Sequence, residues 1–165
     1  MRFRFAALAV ASGFSSSAMP VHAETQIQWW HSMSGALGEW VSDLANEFNA
    51  SQSEYKIVPT FKGSYDESMT AAIAAYRAGN APHILQVFEV GTATMMASKG
   101  AIVPVGKVMA DAGVKFDQAA YVPAVAGYYT AANGQMLSFP FTSSPTVVHY
   151  HKAALQAAGH DQERP

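Results

Sequence analysis

The carboxylate Glu89 directly follows the apolar run His83-Ile84-Leu85-Gln86-Val87-Phe88. An acid at the end of a buried strand is costly unless it is paired or faces a wet cleft. Once ionised it only accepts hydrogen bonds, which suits a ligand offering neighbouring hydroxyls. A solvated loop acid is the plainer alternative, and the pattern leaves both open. Trp30 and Tyr65 have similar standing, since aromatics at loop tips can wall a sugar or polyol site but more often pack in a core.

Other chemistries find less support. The chain has six histidines, one of them in the leader, and no HExxH or comparable ligand cluster. His149 and His151 share a face of an expected strand, which makes half a zinc site at best, and a structural role is the expectation. Ser143 and Ser144 lack the GxSxG setting of a nucleophile elbow and have no identifiable base. No GxxxxGK[ST] or GxGxxG motif supports nucleotide binding. Asn49-Ala50-Ser51 fits the glycosylation acceptor pattern, but its position suggests a helix stop, and Met95-Met96 reads as packing. No catalytic residue, metal or cofactor is expected.

The elements that must position these residues alternate. Thr25–Trp30 reads as a strand. Leu37, Trp40, Val41, Leu44, Ala45 and Phe48 gather one face of a helix over Gly35–Asn49, which Ser32 or Ser34 could cap. Tyr55–Phe61 is a second strand, and Tyr65–Ala78 is a helix with early acids. His83–Phe88 is a short strand of the kind buried on both faces of a parallel sheet. Helices follow over Gly91–Ser98 and Val105–Ala112, then strands over Met136–Phe139 and Val147–His151, then a helix over Lys152–Ala158. This order predicts an α/β fold around a mostly parallel sheet. Ligands of such sheets bind beyond the carboxyl ends of the strands, which points to the loops at Trp30–Ser34, Lys62–Tyr65 and Glu89–Thr92.

The first residues read as an export signal: basic Arg2 and Arg4, an apolar stretch from Phe5 to Phe14, and small residues at Val21-His22-Ala23. The stretch is too short to span a bilayer, so no stable membrane insertion is expected. Without the leader the chain keeps 8 basic and 12 acidic residues, and nothing suggests a nucleic-acid footprint. No cysteine is present, so an exported chain relies on its core, not on disulfides. The terminal run Asp161-Gln162-Glu163-Arg164-Pro165 reads as the approach to a further element, and truncation is expected.

At Trp30-His31-Ser32-Met33, at Tyr55-Lys56-Ile57-Val58-Pro59-Thr60 and above all along Ile84 to Lys99, the sequence closely resembles the periplasmic sn-glycerol-3-phosphate-binding proteins of ABC importers, within the extracellular solute-binding family. The resemblance runs from the leader to the last residue. It implies a type II periplasmic-binding-protein fold with two α/β lobes, of which this chain carries the first. On that pattern residues 1–23 are the signal, 24–141 the first lobe, incomplete without returning strands, 142–151 a crossover or hinge strand, and 152–165 the start of the second lobe. Carried over by position, it makes Tyr65, Glu89 and Ser144 ligand contacts, with Trp30 a wall of the cleft.

The function implied is capture of sn-glycerol 3-phosphate, or a related glycerophospho compound, in the periplasm for delivery to the transmembrane subunits of an ABC permease. Thr142, His149 and His151 depart from the family pattern near the expected hinge. Binders of glycerophosphodiesters or sugars in the same family, a non-functional remnant, and less readily a periplasmic hydrolase are the alternatives.

Overall fold

The computed structural model describes residues 24–98, 100–144 and 147–160. The signal expected over residues 1–23 and the polar run 161–165 lie outside them.

The fold is α/β around a parallel sheet, as expected. Three strands lie in the order β2-β1-β3. β1 (Thr25–His31) is central and pairs along its whole length with β2 (Tyr55–Phe61), from Thr25 opposite Tyr55 to His31 opposite Phe61. β3 (Ile84–Leu85) lies on the other side of β1, opposite Trp29 and Trp30. The expected strand over His83–Phe88 is thus shortened to two residues. Its amides His83 and Gln86 still donate to the Gln28 and Trp30 carbonyls, but among the described residues β3 has a strand partner only on its β1 side, and the chain leaves the ladder after Gln86.

α1 (Gly35–Ser51) forms because its apolar residues recur at helical spacing. Val41 and Ala45 are buried, while Leu37 and Phe48 on the same stripe remain 53% and 44% exposed. Ser34 takes the N-cap position, but its side chain makes no capping bond. The helix stops at Ser51, inside the Asn49-Ala50-Ser51 run expected to end it, and Asn49 has a further use. Its amide donates to the Ile57 carbonyl at 2.9 Å and its oxygen accepts from the Ile57 N–H at 2.7 Å, fastening the end of α1 to β2.

α2 (Tyr65–Arg77) begins with a capping box: Ser64 Oγ accepts from the Glu67 N–H, and the Glu67 carboxylate accepts from the Ser64 N–H. Residues beyond the sheet form α3 (Glu89–Ala97), α4 (Val105–Asp111), a 3-10 turn at Gln118–Ala120, α5 (Pro123–Tyr128) and α6 (Lys152–Ala157). The sequence reading assigned nothing to the 3-10 turn and α5. Their signals are short, an Asp117 side chain accepting from the Ala119 N–H and Pro123 in the first turn.

Two expected strands do not form. In Met136–Phe139 the sole pairing among the described residues is an isolated antiparallel bridge from Met136 to Thr130. The described part of Val147–His151 has no strand structure, and Val148 is 83% exposed. β-branched residues favour a strand only where a neighbouring strand and a packed face receive them, and none among the described residues does so here. His151 instead caps α6, its Nδ1 accepting from the Ala154 N–H.

Apolar burial falls in two places. Val41, Ala45 and Ala72 line the sheet between the helices, while Val105, Ala126 and Met136 form a second small core packed by Met109, Phe116, Tyr121 and Tyr129. No helix among the described residues is long and apolar enough to cross a membrane.

Candidate functional site

All three strands are parallel, so their carboxyl ends share one edge, where the loops 30–34, 62–65 and 86–92 emerge. Because β1 is central and the chain steps to β2 on one side before β3 on the other, this edge contains a topological switch point.

Side chains alternate across β1. Trp29 and His31 share a face, their rings 6.0 Å apart, and Trp29 meets Phe141 edge-on at 5.5 Å. Phe141 also stacks on Trp40 of α1, so this face turns toward the helix. Trp30 points to the opposite face, where Lys62 Nζ lies 3.9 Å from its ring centroid.

The Lys62 N–H donates to the His31 carbonyl at 2.9 Å, joining the ends of β1 and β2. The chain then turns at Gly63, which has φ +81°, a value L side chains rarely adopt. A Cβ there would also collide with the Glu67 carboxylate of the capping box. The turn and cap fix Tyr65 as the first residue of α2. Its ring stacks on Phe88 at 5.2 Å and 20°.

On the β3 side, Gln86 binds the β1 loop twice: its N–H donates to the Trp30 carbonyl, and its Oε1 accepts from the Ser32 N–H. Phe88 caps α3 and Glu89 is its first residue. This revises the expectation that Glu89 ends a strand. It opens a helix that begins two residues before the expected Gly91, its side chain is exposed, and its charge sits at the positive end of the helix dipole. The Tyr128 hydroxyl donates to the Glu89 carbonyl, and the Thr92 N–H and hydroxyl donate to the Phe88 carbonyl, holding this start in place. Gly91 is buried, and a Cβ there would approach Met69 Sδ and the Phe88 ring to 2.9 Å. Glycine at 91 therefore lets Phe88 stand against Tyr65.

The edge contains three of the four candidate residues, Trp30, Tyr65 and Glu89. Ser144 is exposed three residues beyond Phe141, and no contact among the described residues joins it to the others. Beneath the edge, His31 is 5% exposed, and burial lowers its pKa from 6.5 against a smaller opposing contribution from the Met33 backbone. Burial, and next the neighbouring Tyr128 and Glu89, raise the Tyr129 phenol. The Ser32 and Ser68 hydroxyls are buried without a partner among the described residues.

The residues of the edge that sequence reading passed over are the supports: Gln86, Phe88, Tyr128 and Lys62. Their sequence neighbours identify them only as loop or strand residues. No cluster of three or more His, Asp or Glu suited to a metal occurs among the described residues. A groove of about 1170 Å³ runs beside β3, lined by Phe48, Ile57, Ile73, Ile84, Phe139 and Phe141 among others, and reaches Gln86 and Thr92 of the edge. Its largely apolar wall is a poorer match for a polyol or a phosphate than the polar loops of the edge.

A central parallel strand flanked at a switch point by polar and aromatic loops is the arrangement beside which ligands of open α/β sheets bind. The chain belongs to the bacterial extracellular solute-binding protein family, whose profile matches residues 43–164. Among individual proteins, it is 54% identical over 159 residues to the sn-glycerol-3-phosphate-binding periplasmic protein UgpB of Yersinia pestis and to that of Salmonella typhimurium, covering 96% of this chain and 35% of each relative. The UgpB protein of Pectobacterium atrosepticum is 54% identical over 163 residues, 98% of this chain and 36% of the relative. The chain thus spans about a third of the length of these relatives.

Proposed function

We propose that this chain is part of a periplasmic solute-binding component that captures sn-glycerol 3-phosphate and delivers it to an ABC permease. The observation that carries the reading is the carboxyl edge itself, where Trp30, Tyr65 and Glu89 emerge beside one another from loops tied by Gln86 and Lys62. The 54% identity to proteins named for this ligand supports it over other polyols.

Each residue has a role matched to its chemistry. Glu89 accepts hydrogen bonds from the glycerol hydroxyls, because a carboxylate beside phosphate would repel it. Ser144 donates to a phosphate oxygen, charge-assisted because the acceptor is ionised. Tyr65, braced by Phe88, donates its hydroxyl or shields the ligand, and Trp30 walls the cleft.

Transport needs no bond to be made or broken. Ligand that touches two lobes favours the closed arrangement, and the permease distinguishes closed from open. Residues 142–151 serve as the crossover between the lobes, and 152–165 begin the second.

Calorimetric titration of the complete two-lobed protein, of which these residues form the first lobe, with sn-glycerol 3-phosphate tests this reading. Saturable one-to-one binding that Glu89→Ala weakens by about 30-fold or more is expected, the size of a charge-assisted pair. Wild-type protein that ignores this ligand but binds an uncharged sugar, or that hydrolyses a glycerophosphodiester, would sink it.

A further inference from the structure

Resting on that reading, we propose that Lys62 is a phosphate-recognising cation of this lobe, held ready on the face of Trp30. Across the loops 30–34, 62–65 and 86–92 it is the one lysine or arginine, as Glu89 is the one carboxylate. A ligand with hydroxyls at one end and a phosphate at the other needs both signs. The carboxylate serves the hydroxyl end, which leaves the lysine for the anionic end.

The geometry holds the ammonium without neutralising it. The backbone of Lys62 is pinned by its hydrogen bond to the His31 carbonyl, and Nζ rests 3.9 Å from the Trp30 ring centroid. No carboxylate pairs with it among the described residues, where the ion pairs are Lys56 with Glu24 and Lys107 with Asp111. The nearby Glu67 carboxylate is engaged by the Ser64 N–H. A cation resting on an aromatic face is held more weakly than one hydrogen-bonded to a phosphate oxygen. An arriving phosphate therefore draws Nζ from the indole, or meets it there, without first breaking an ion pair. Only Gly63 and Ser64 separate Lys62 from Tyr65, and the turn they form keeps both at one edge.

The test is titration of sn-glycerol 3-phosphate into the complete two-lobed protein and its K62M and K62R variants, with thermal unfolding of each as a folding control. Methionine can still cover Trp30 but has no charge, whereas arginine keeps both. The expected result is a loss of about tenfold or more in affinity for K62M, with K62R within about threefold of wild type and unchanged melting temperatures. K62M binding within twofold of wild type, or K62R as weak as K62M, would overturn the inference while leaving the proposed function standing. A wild-type chain that does not bind sn-glycerol 3-phosphate overturns the proposed function and this inference together.

Discussion

Ionisable side chains near the carboxyl edge respond to acid in separate windows. His31 has a folded-state pKa below its ordinary 6.5 because it is buried. The unfolded chain therefore binds the proton more readily than the folded one, and stability is complete above pH 6.5 and falls as pH drops from there through the lowered value. Replacing His31 by Phe, which suits its Trp29 and Phe61 surroundings, should flatten the change in melting temperature between pH 7.5 and 5.5. An unchanged pH dependence would assign the acid response elsewhere. Glu67 acts lower on the scale. The Ser64 backbone, then the Ser64 hydroxyl, hold its carboxyl below 4.5, so its contribution is present above that value and is lost as pH falls through the lowered one. Ser64→Ala removes the other half of the capping box and should lower unfolding stability by about 1 kcal/mol in denaturant titration. At this scale Glu89, Trp30 and Tyr65 stood out as candidates because an acid after an apolar run and aromatics beside turns are local patterns. Lys62 was not, since only its position over Trp30 distinguishes it from a solvated turn lysine.

Helices and strands here are fastened to one another by few, identifiable contacts. Asn49 ties α1 to β2 with two hydrogen bonds to Ile57, and Asn49→Ala leaves both backbone groups of a half-buried residue without them. A loss of about 1–3 kcal/mol is expected by chemical denaturation, larger than for the exposed Ser64. Gly91 couples α3 to the site. In Gly91→Ala the new methyl group displaces Phe88 or Met69, and Phe88 is the ring on which Tyr65 stacks. The expected outcome is weaker ligand binding with a small change in melting temperature; full-affinity binding would show that Tyr65 does not depend on that stack. Long periodic elements were readable in the sequence, and α1, β2 and α2 lie within two residues of their expected bounds. Among short elements α4 and α6 were readable to within a residue, whereas β3 and α5 were not, because their extent depends on partners that periodicity cannot reveal.

For the molecule as a whole, apolar exposure is the dominant fact. Leu37, Phe61, Val103 and Val122 are each more than half exposed, and the groove beside β3 is largely apolar. Residues 24–165 made alone should therefore be poorly soluble, bind an apolar dye, unfold without a sharp transition and show no measurable affinity for sn-glycerol 3-phosphate. A cooperative calorimetric transition from that polypeptide would show that the buried residues of the two small cores suffice.

The sequence by itself determined the α/β class, the parallel order of elements, the loops that bear the candidate residues, and the family resemblance. Each of these follows from local periodicity, strand-to-loop order or long identical runs, which are properties of the chain read in one dimension. Tertiary structure alone decided that Glu89 begins a helix, that Asn49 clamps a strand, that His151 caps α6, and that Lys62 lies on Trp30. These depend on which distant backbone groups and rings come within a few ångströms of one another, and hydrogen bonds and ring contacts at that range are set by packing, not by neighbours in sequence.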